Sequence, residues 1–192
     1  DYQIFDPWGN VWIDFTSTIF VTNSGHGNSQ VINRVRECLD APLLHSYYYP
    51  TQIKSDFLEK LIEMTAPDFE KAILLSCGTE ASERAIKIAR INGTKVAQDK
   101  NILVAGMSNY HGKTMGAQML SGQDSDKEWI GYHDPNIVHM PFPYPWVLEE
   151  FSGNGEELFY NHLNQLKING IITDNIAAFF VESFQGWGAI FY

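Results

Sequence analysis

Short apolar runs alternate with helical patterns through most of the chain, and this alternation constrains the fold more than any other feature. Each run has the length of a buried strand, and each intervening pattern repeats its apolar side chains at helical spacing. Such an order predicts an α/β fold in which a mostly parallel sheet is flanked by helices. The predicted strands cover residues 72–75, 102–105, 137–140 and 176–181, and the helices between them cover 80–92, 114–120 and 156–167.

The beginning of the chain follows a different pattern. Residues 6–10 are turn-forming types, and apolar residues then alternate to Phe15, which predicts a hairpin. Two helical patterns follow, at residues 28–42 and 51–65. We therefore expect an N-terminal segment of hairpin and helix at residues 1–50 and a partial large domain, which contains the sheet, at residues 51–192.

The charge and the cysteine content exclude several classes of protein. Acidic side chains outnumber basic ones by 23 to 13, so the net charge of −10 predicts neither a nucleic-acid partner nor a membrane partner. No apolar run approaches membrane-spanning length. Cys38 and Cys77 are too few for a disulfide framework or a metal site, and they favour a reducing compartment, which we take to be the cytoplasm, with an organelle matrix as the alternative.

The first candidate site follows the predicted strand 72–75. Gly78 allows the backbone to come close to a ligand, and a helix begins there, whose free N–H groups and dipole favour an anion. Thr79 adds a hydroxyl donor. The residues therefore predict a phosphate-binding loop, although a glycine that turns the chain and a threonine that caps a helix would give the same pattern.

The second candidate site follows the predicted strand 102–105 and contains Tyr110, His111 and Gly112. One interpretation is a nucleotide P-loop, because Gly112 is followed by a lysine and a threonine. The spacing disfavours it, since the segment from Gly106 is one residue longer than the P-loop motif allows. The alternatives are a pocket for a planar ring, with Tyr110 stacked on the ring and His111 beside it, and an ordinary loop aromatic.

The third candidate is Glu182, at the end of the apolar strand 176–181. A carboxylate that leaves a buried strand is costly unless it is paired, so it is either functional or held by a basic partner.

Taken in order, these motifs resemble those of the class III aminotransferases, the family of the ornithine and 4-aminobutyrate enzymes. Residues 6–15 resemble the opening hairpin of that family, and residues 76–81 (Ser-Cys-Gly-Thr-Glu-Ala) its phosphate loop. Residues 110–112 (Tyr-His-Gly) resemble its ring-stacking motif, and residues 181–186 (Val-Glu-Ser-Phe-Gln-Gly) the strand that reaches its active site. The set spans nearly the whole chain.

The resemblance implies a fold-type I enzyme that uses pyridoxal 5'-phosphate (PLP) and has its site at a homodimer interface. Gly78 and Thr79 would hold the cofactor phosphate, Tyr110 would stack on the pyridine ring, and His111 and Gly112 would shape that wall. The resemblance places Glu182 near the substrate side of the ring. The implied reaction is transamination between an amino donor and a 2-oxo acid. At a substrate-pocket position, the small Ile19 is closer to the 4-aminobutyrate type than to the ornithine type.

The resemblance also has gaps. Cys77 stands where the family more often has a hydroxyl residue, and Ser183 where it more often has proline. The family's Schiff-base lysine and the aspartate that pairs with the pyridine nitrogen lie downstream of the matched segments, and the context of Lys113 does not fit that lysine. We therefore expect a fragment that is inactive alone, with a non-catalytic phosphate- or PLP-binding role as the alternative and a P-loop nucleotide-binding domain as the less favoured one.

Overall fold

The computed structural model describes residues 2–42, 47–65 and 67–186, together with the backbone of residues 190–191. The chain divides into two compact units, Asp1–Ile73 and Leu74–Tyr192. The domain boundary expected after residue 50 concerns the parent fold and stays a prediction.

The first unit contains a hairpin and helices. Strands β1 (Gln3–Phe5) and β2 (Val11–Ile13) pair antiparallel, as predicted, and Asp6 caps the turn between them by accepting from the backbone N–H groups of Trp8 and Asn10. The helices are the short α1 (Ser17–Phe20), followed by α2 (Ser29–Asp40) and α3 (Gln52–Glu63). Helix α2 begins after Asn28, whose side chain accepts from the N–H groups of Gln30 and Val31.

The second unit has the predicted α/β architecture. Its parallel sheet has the order β4-β3-β5, with β3 (Ile102–Gly106) between β4 (Ile137–Met140) and β5 (Ile176–Phe180). The helices of this unit are α4 (Gly78–Val96), α5 (Met115–Leu120), α6 (Pro145–Glu150) and α7 (Gly155–Ile168), with 3-10 helices at Ser125–Ile130 and Thr173–Asn175. Strands β6 (Phe184–Gln185) and β7 (Ile190–Phe191) form a small antiparallel pair.

The core lies on both faces of this sheet, because the side chains of β3 alternate between two layers of helices. Leu103 and Ala105 pack with residues of α4 and α5 on one face. Ile102 and Val104 pack with Leu166 of α7 on the other. All five residues of β3 are buried, as expected for the central strand of a parallel sheet.

One expected strand does not form, and one helix that does form was not predicted. Residues 72–75 do not form a strand, and the side chains of Ile73, Leu74 and Leu75 remain exposed. An apolar run becomes a strand only where a neighbour supplies hydrogen bonds, and no described strand lies beside this one. Helix α6 was not predicted, although Pro145 at its first position is a typical helix start.

Candidate functional site

Three segments of the second unit carry most of the predicted site residues. They are the start of α4, the loop of residues 107–112 that follows β3, here called the β3 loop, and residues 182–185, which follow β5. Because β3 and β5 are adjacent and parallel, their carboxyl ends open at the same edge of the sheet. This is where ligands bind in open α/β sheets.

The start of α4 leaves its first N–H groups available. Cys77 precedes the helix in an extended conformation and makes no side-chain cap, and the first helical bond runs from the N–H of Ala81 to the carbonyl of Cys77. Within the described residues, no group accepts from the N–H of Gly78 or Thr79. A Cβ added to Gly78 would meet nothing within 4 Å. Open N–H groups at the positive end of a 19-residue helix fit a phosphate.

The β3 loop comes into contact with this helix start at Gly112. The backbone of Gly112 has φ +132°, and a Cβ there would lie 2.0 Å from Thr79 Oγ1. Only glycine permits both the conformation and the approach. The structure thus brings Thr79 and Gly112 together, although 32 residues separate them in the sequence.

Sequence reasoning missed two residues that fix this contact, Thr114 and Glu83. The hydroxyls of Thr79 and Thr114 lie 3.1 Å apart, and the N–H of Thr114 donates to Thr79 Oγ1 at 3.4 Å. The hydroxyl of Thr114 donates in turn to Glu83 Oε1, which also accepts from the N–H of Ala117 at 3.0 Å. Glu83 thereby caps α5 from α4. No local pattern signals such a bond, because its partners are 31 and 34 residues apart.

Tyr110 and Glu182 are also brought together. The N–H of Tyr110 donates to Glu182 Oε2 at 2.9 Å, and the ring of Tyr110 is half exposed. Burial raises the pKa of Glu182, and the bond from Tyr110 opposes that effect. The partner of the carboxylate is therefore a backbone N–H, whereas the sequence suggested either function or a basic side chain.

His111 lies behind the exposed face of the β3 loop. Burial, followed by the charge of His139, lowers the pKa of His111 to about 4, so the ring is neutral at pH 7. Its ring centroid lies 6.1 Å from that of Phe180. The buried Nε2 has no hydrogen-bond partner among the described residues, while the backbone N–H donates to Ser121 Oγ at 2.8 Å.

The backbone of the β3 loop argues against a P-loop. A P-loop cradles phosphate with free N–H groups, but four of the six N–H groups of this loop already have protein acceptors. The acceptors are the carbonyl of Met140 for Met107, the carbonyl of Gly106 for Asn109, Glu182 for Tyr110 and Ser121 for His111. The start of α4, where two consecutive N–H groups lack an acceptor among the described residues, is better suited to an anion.

Ile19 belongs to the other unit, so its expected place in a substrate pocket stays a prediction. It lies in α1, where its φ is +57°, and its side chain is exposed. Asp14 anchors this segment by accepting from the hydroxyls of Thr16 and Thr18 and from the His26 ring at 2.8 Å. The hydrogen bond from His26 lowers the pKa of Asp14 to about 2.

The described residues contain neither a candidate metal cluster nor a candidate membrane span. In the part of the chain that the structure describes, no group of three or more histidine, cysteine or acidic side chains is arranged to hold a metal ion. Among the same residues, no helix is both long enough and apolar enough to cross a bilayer.

Comparison with known proteins connects this geometry to one family. The model of the class-III aminotransferase family matches residues 2–192. An acetylornithine aminotransferase of Bacillus cereus is 29% identical over 98% of this chain and 42% of its own length. An ornithine aminotransferase of Bacillus cereus strain Q1 is 30% identical over 96% of this chain and 42% of its own length. The chain thus spans about two fifths of the curated relatives that it matches.

Solved structures show the same fold. An (S)-enantioselective omega-transaminase from Thermomicrobium roseum superposes with a TM-score of 0.84 at 25% identity, over 99% of this chain and 44% of that one. A transaminase from Virgibacillus also gives 0.84, at 22% identity, over 99% and 42% of the two chains. The sheet and its helices therefore form part of the fold-type I transaminase fold.

Proposed function

The chain belongs to the class-III aminotransferase family, and from that premise we propose that the whole protein transfers an amino group between an amino donor and a 2-oxo acid, with PLP as its cofactor. When bound, PLP supplies the electron sink that amino-group transfer needs. The residues of this chain bind and orient that group.

The observation that carries the proposal is the open start of α4 beside the β3 loop. The N–H groups of Gly78 and Thr79 are suited to the cofactor phosphate, because no described group accepts from them and the helix dipole favours an anion. Gly112 lets the β3 loop approach Thr79, so a group held at the helix start would lie next to that loop.

The β3 loop would supply the wall for the pyridine ring. The half-exposed ring of Tyr110 is available for stacking, and the neutral His111 and Gly112 complete the wall behind it. A neutral His111 avoids placing a positive charge against the ring. Glu182 would orient this wall through the N–H of Tyr110 and lie near the substrate side.

The proposed donor is an ω-amino acid such as 4-aminobutyrate. Two arguments support the class: the relatives are named for ornithine and acetylornithine, and a solved neighbour is named as an omega-transaminase. The choice of 4-aminobutyrate rests on the small side chain of Ile19. A homodimer, which rests on the family resemblance, and a cytoplasmic location, which rests on the cysteine content, complete the proposal.

The sharpest test of the phosphate loop is Gly78→Pro. Gly78 is the first residue of α4, where proline is well tolerated, and the extended Cys77 before it suits a following proline. The change removes one N–H group and keeps the helix start. We expect the affinity for PLP and for inorganic phosphate to fall about 10- to 100-fold, as for the loss of one charge-assisted hydrogen bond. Isothermal titration of the chain with each ligand measures this.

Ser29→Pro is the matched control, because Ser29 is the first residue of α2 and its N–H does not bind the capping Asn28. It should leave both affinities unchanged. Equal weakening by the two variants, or wild-type affinity in Gly78→Pro, would contradict the assignment of the phosphate loop.

We further expect the 192-residue chain by itself to form no glutamate at a steady rate from 4-aminobutyrate and 2-oxoglutarate in the presence of PLP. The reason is that no lysine in it has the context of the family's cofactor lysine. Continuous turnover, measured by coupled assay, would refute this expectation.

A further inference from the structure

Gln185 is fully buried and hydrogen-bonded at both ends of its amide. Its Nε2 donates to Asn109 Oδ1 at 2.8 Å and to the carbonyl of Met107 at 3.4 Å. Its Oε1 accepts from the hydroxyl of Tyr144 at 3.0 Å. Two of these three bonds hold the β3 loop. The proposed function assigns no role to Gln185.

Together with Glu182, Gln185 holds the β3 loop at three points. The bonded groups of the loop are the carbonyl of Met107, the side chain of Asn109 and the N–H of Tyr110. All three bonds are made by Glu182 or Gln185, which lie in the segment that follows β5. The segment that leaves the neighbouring strand is therefore an anchor of the loop, in addition to Met140 and Ser121.

The loop needs such external support. Ser108 has φ +61°, a left-handed conformation that is unfavourable for a residue with a side chain and persists only where the surroundings enforce it. Asn109 is fully buried, and its Nδ2 has no hydrogen-bond partner among the described residues. The bond from Gln185 is thus the one that satisfies the buried Asn109 side chain within the described chain.

We propose that Gln185 is a positioning residue. Through Asn109 and Met107 it fixes the β3 loop, and it thereby holds the ring of Tyr110 in the position from which that ring can stack on a planar ligand. Without Gln185, Asn109 would be a buried amide with no partner on either atom. Exposing that amide to water by moving the loop outward would then be favourable. The consequence for the cofactor rests on the proposed function, whereas the consequence for the loop does not.

The first experiment measures the loop in the full chain without ligand. Gln185→Met keeps the length of the side chain and removes its donors, and we expect amide hydrogen exchange at Tyr110 and His111 to become at least about 10-fold faster. Gln118→Met is the matched control, because Gln118 is a buried glutamine of the same unit whose Oε1 accepts from Trp129 Nε1 and not from the loop. It should leave exchange in residues 107–112 unchanged.

Unchanged exchange in Gln185→Met, or an equal rise in both variants, overturns the inference. If Gln185→Met does not fold, Asn109→Ala removes the acceptor of the same bond and is measured in its place with the same expectation.

The second experiment separates binding of the ring from binding of the phosphate. Gln185→Met should weaken PLP binding at least about 5-fold and leave the binding of inorganic phosphate unchanged, since Gln185 holds Met107 and Asn109 beside Tyr110, whereas the phosphate would bind the N–H groups at the start of α4. Equal loss of both ligands would indicate general damage and overturn the positioning role. If the wild-type chain binds neither ligand, the proposed function fails, and the exchange experiment alone decides whether Gln185 positions the loop.

Discussion

Apolar side chains that recur at helical or strand spacing are buried in one unit of the chain and exposed in the other. Every buried residue of the described chain lies in Leu74–Tyr192, and none lies in Asp1–Ile73. Helix α2 nevertheless has a well-defined apolar stripe, of which Val31, Val35 and Leu39 are all more than half exposed. An amphipathic pattern therefore tells which face of a helix favours burial, but not whether the same stretch of chain supplies the partner.

The largest difference between the units should appear when apolar side chains are shortened. Leu103→Ala removes a fully buried side chain from the core and should cost about 2 to 5 kcal/mol in free energy of unfolding. Val35→Ala, on a side chain that is 53% exposed, should cost less than about 0.5 kcal/mol. Urea unfolding followed by circular dichroism gives both values, and comparable costs would show that α2 is packed in solution.

A smaller loss of stability should come from acid, and the groups responsible for it in the two units should titrate in different pH ranges. His111 has its pKa lowered from 6.5 to about 4, so between these values the unfolded chain binds a proton that the folded chain does not, and stability falls as the pH drops. The expected loss is at most about 2 kcal/mol by pH 5. His139, whose pKa is lowered chiefly by burial, contributes in the same direction.

Asp14, in the other unit, has its pKa lowered from 3.8 to about 2, so its stabilising bond to His26 is lost only as the pH falls from about 3.8 to about 2.

The variant His111→Gln tests the effect of acid on the second unit. Because this variant lacks the imidazole, its urea midpoints at pH 7 and pH 5 should differ less than those of the wild type. An unchanged pH dependence in that variant would mean that the His111 ring is solvated.

The smallest difference concerns the starts of two helices. Asn28→Ala removes a side chain that caps α2 and should cost about 1 kcal/mol, whereas Cys77 makes no cap to α4, and Cys77→Ala should be close to neutral. Thermal unfolding of the two variants measures the contrast. A clear loss in Cys77→Ala would show that the start of α4 is held by that side chain.

Much of the second unit was predictable because its elements are encoded locally. Strand β4 has the predicted bounds, and β3 and β5 differ from theirs by one residue at the end. The failure at residues 72–75 has the opposite cause, since a strand depends on a neighbour that an apolar run does not encode. The site divides in the same way: Gly78 and Tyr110 stand out in the sequence, while Glu83 and Gln185 act across 31 or more residues and leave no local pattern.

The hydroxyl chain from Thr79 to Glu83 has a consequence for proton counting. Thr114 gives its single hydroxyl proton to Glu83. The contact between the two threonine hydroxyls then has one proton left, that of Thr79, and Thr79 must donate it to Thr114. In this arrangement the Thr79 oxygen offers only lone pairs, which repel an anion. Its hydroxyl must rotate before it can donate to a phosphate, whereas the backbone N–H of the same residue is ready without any change.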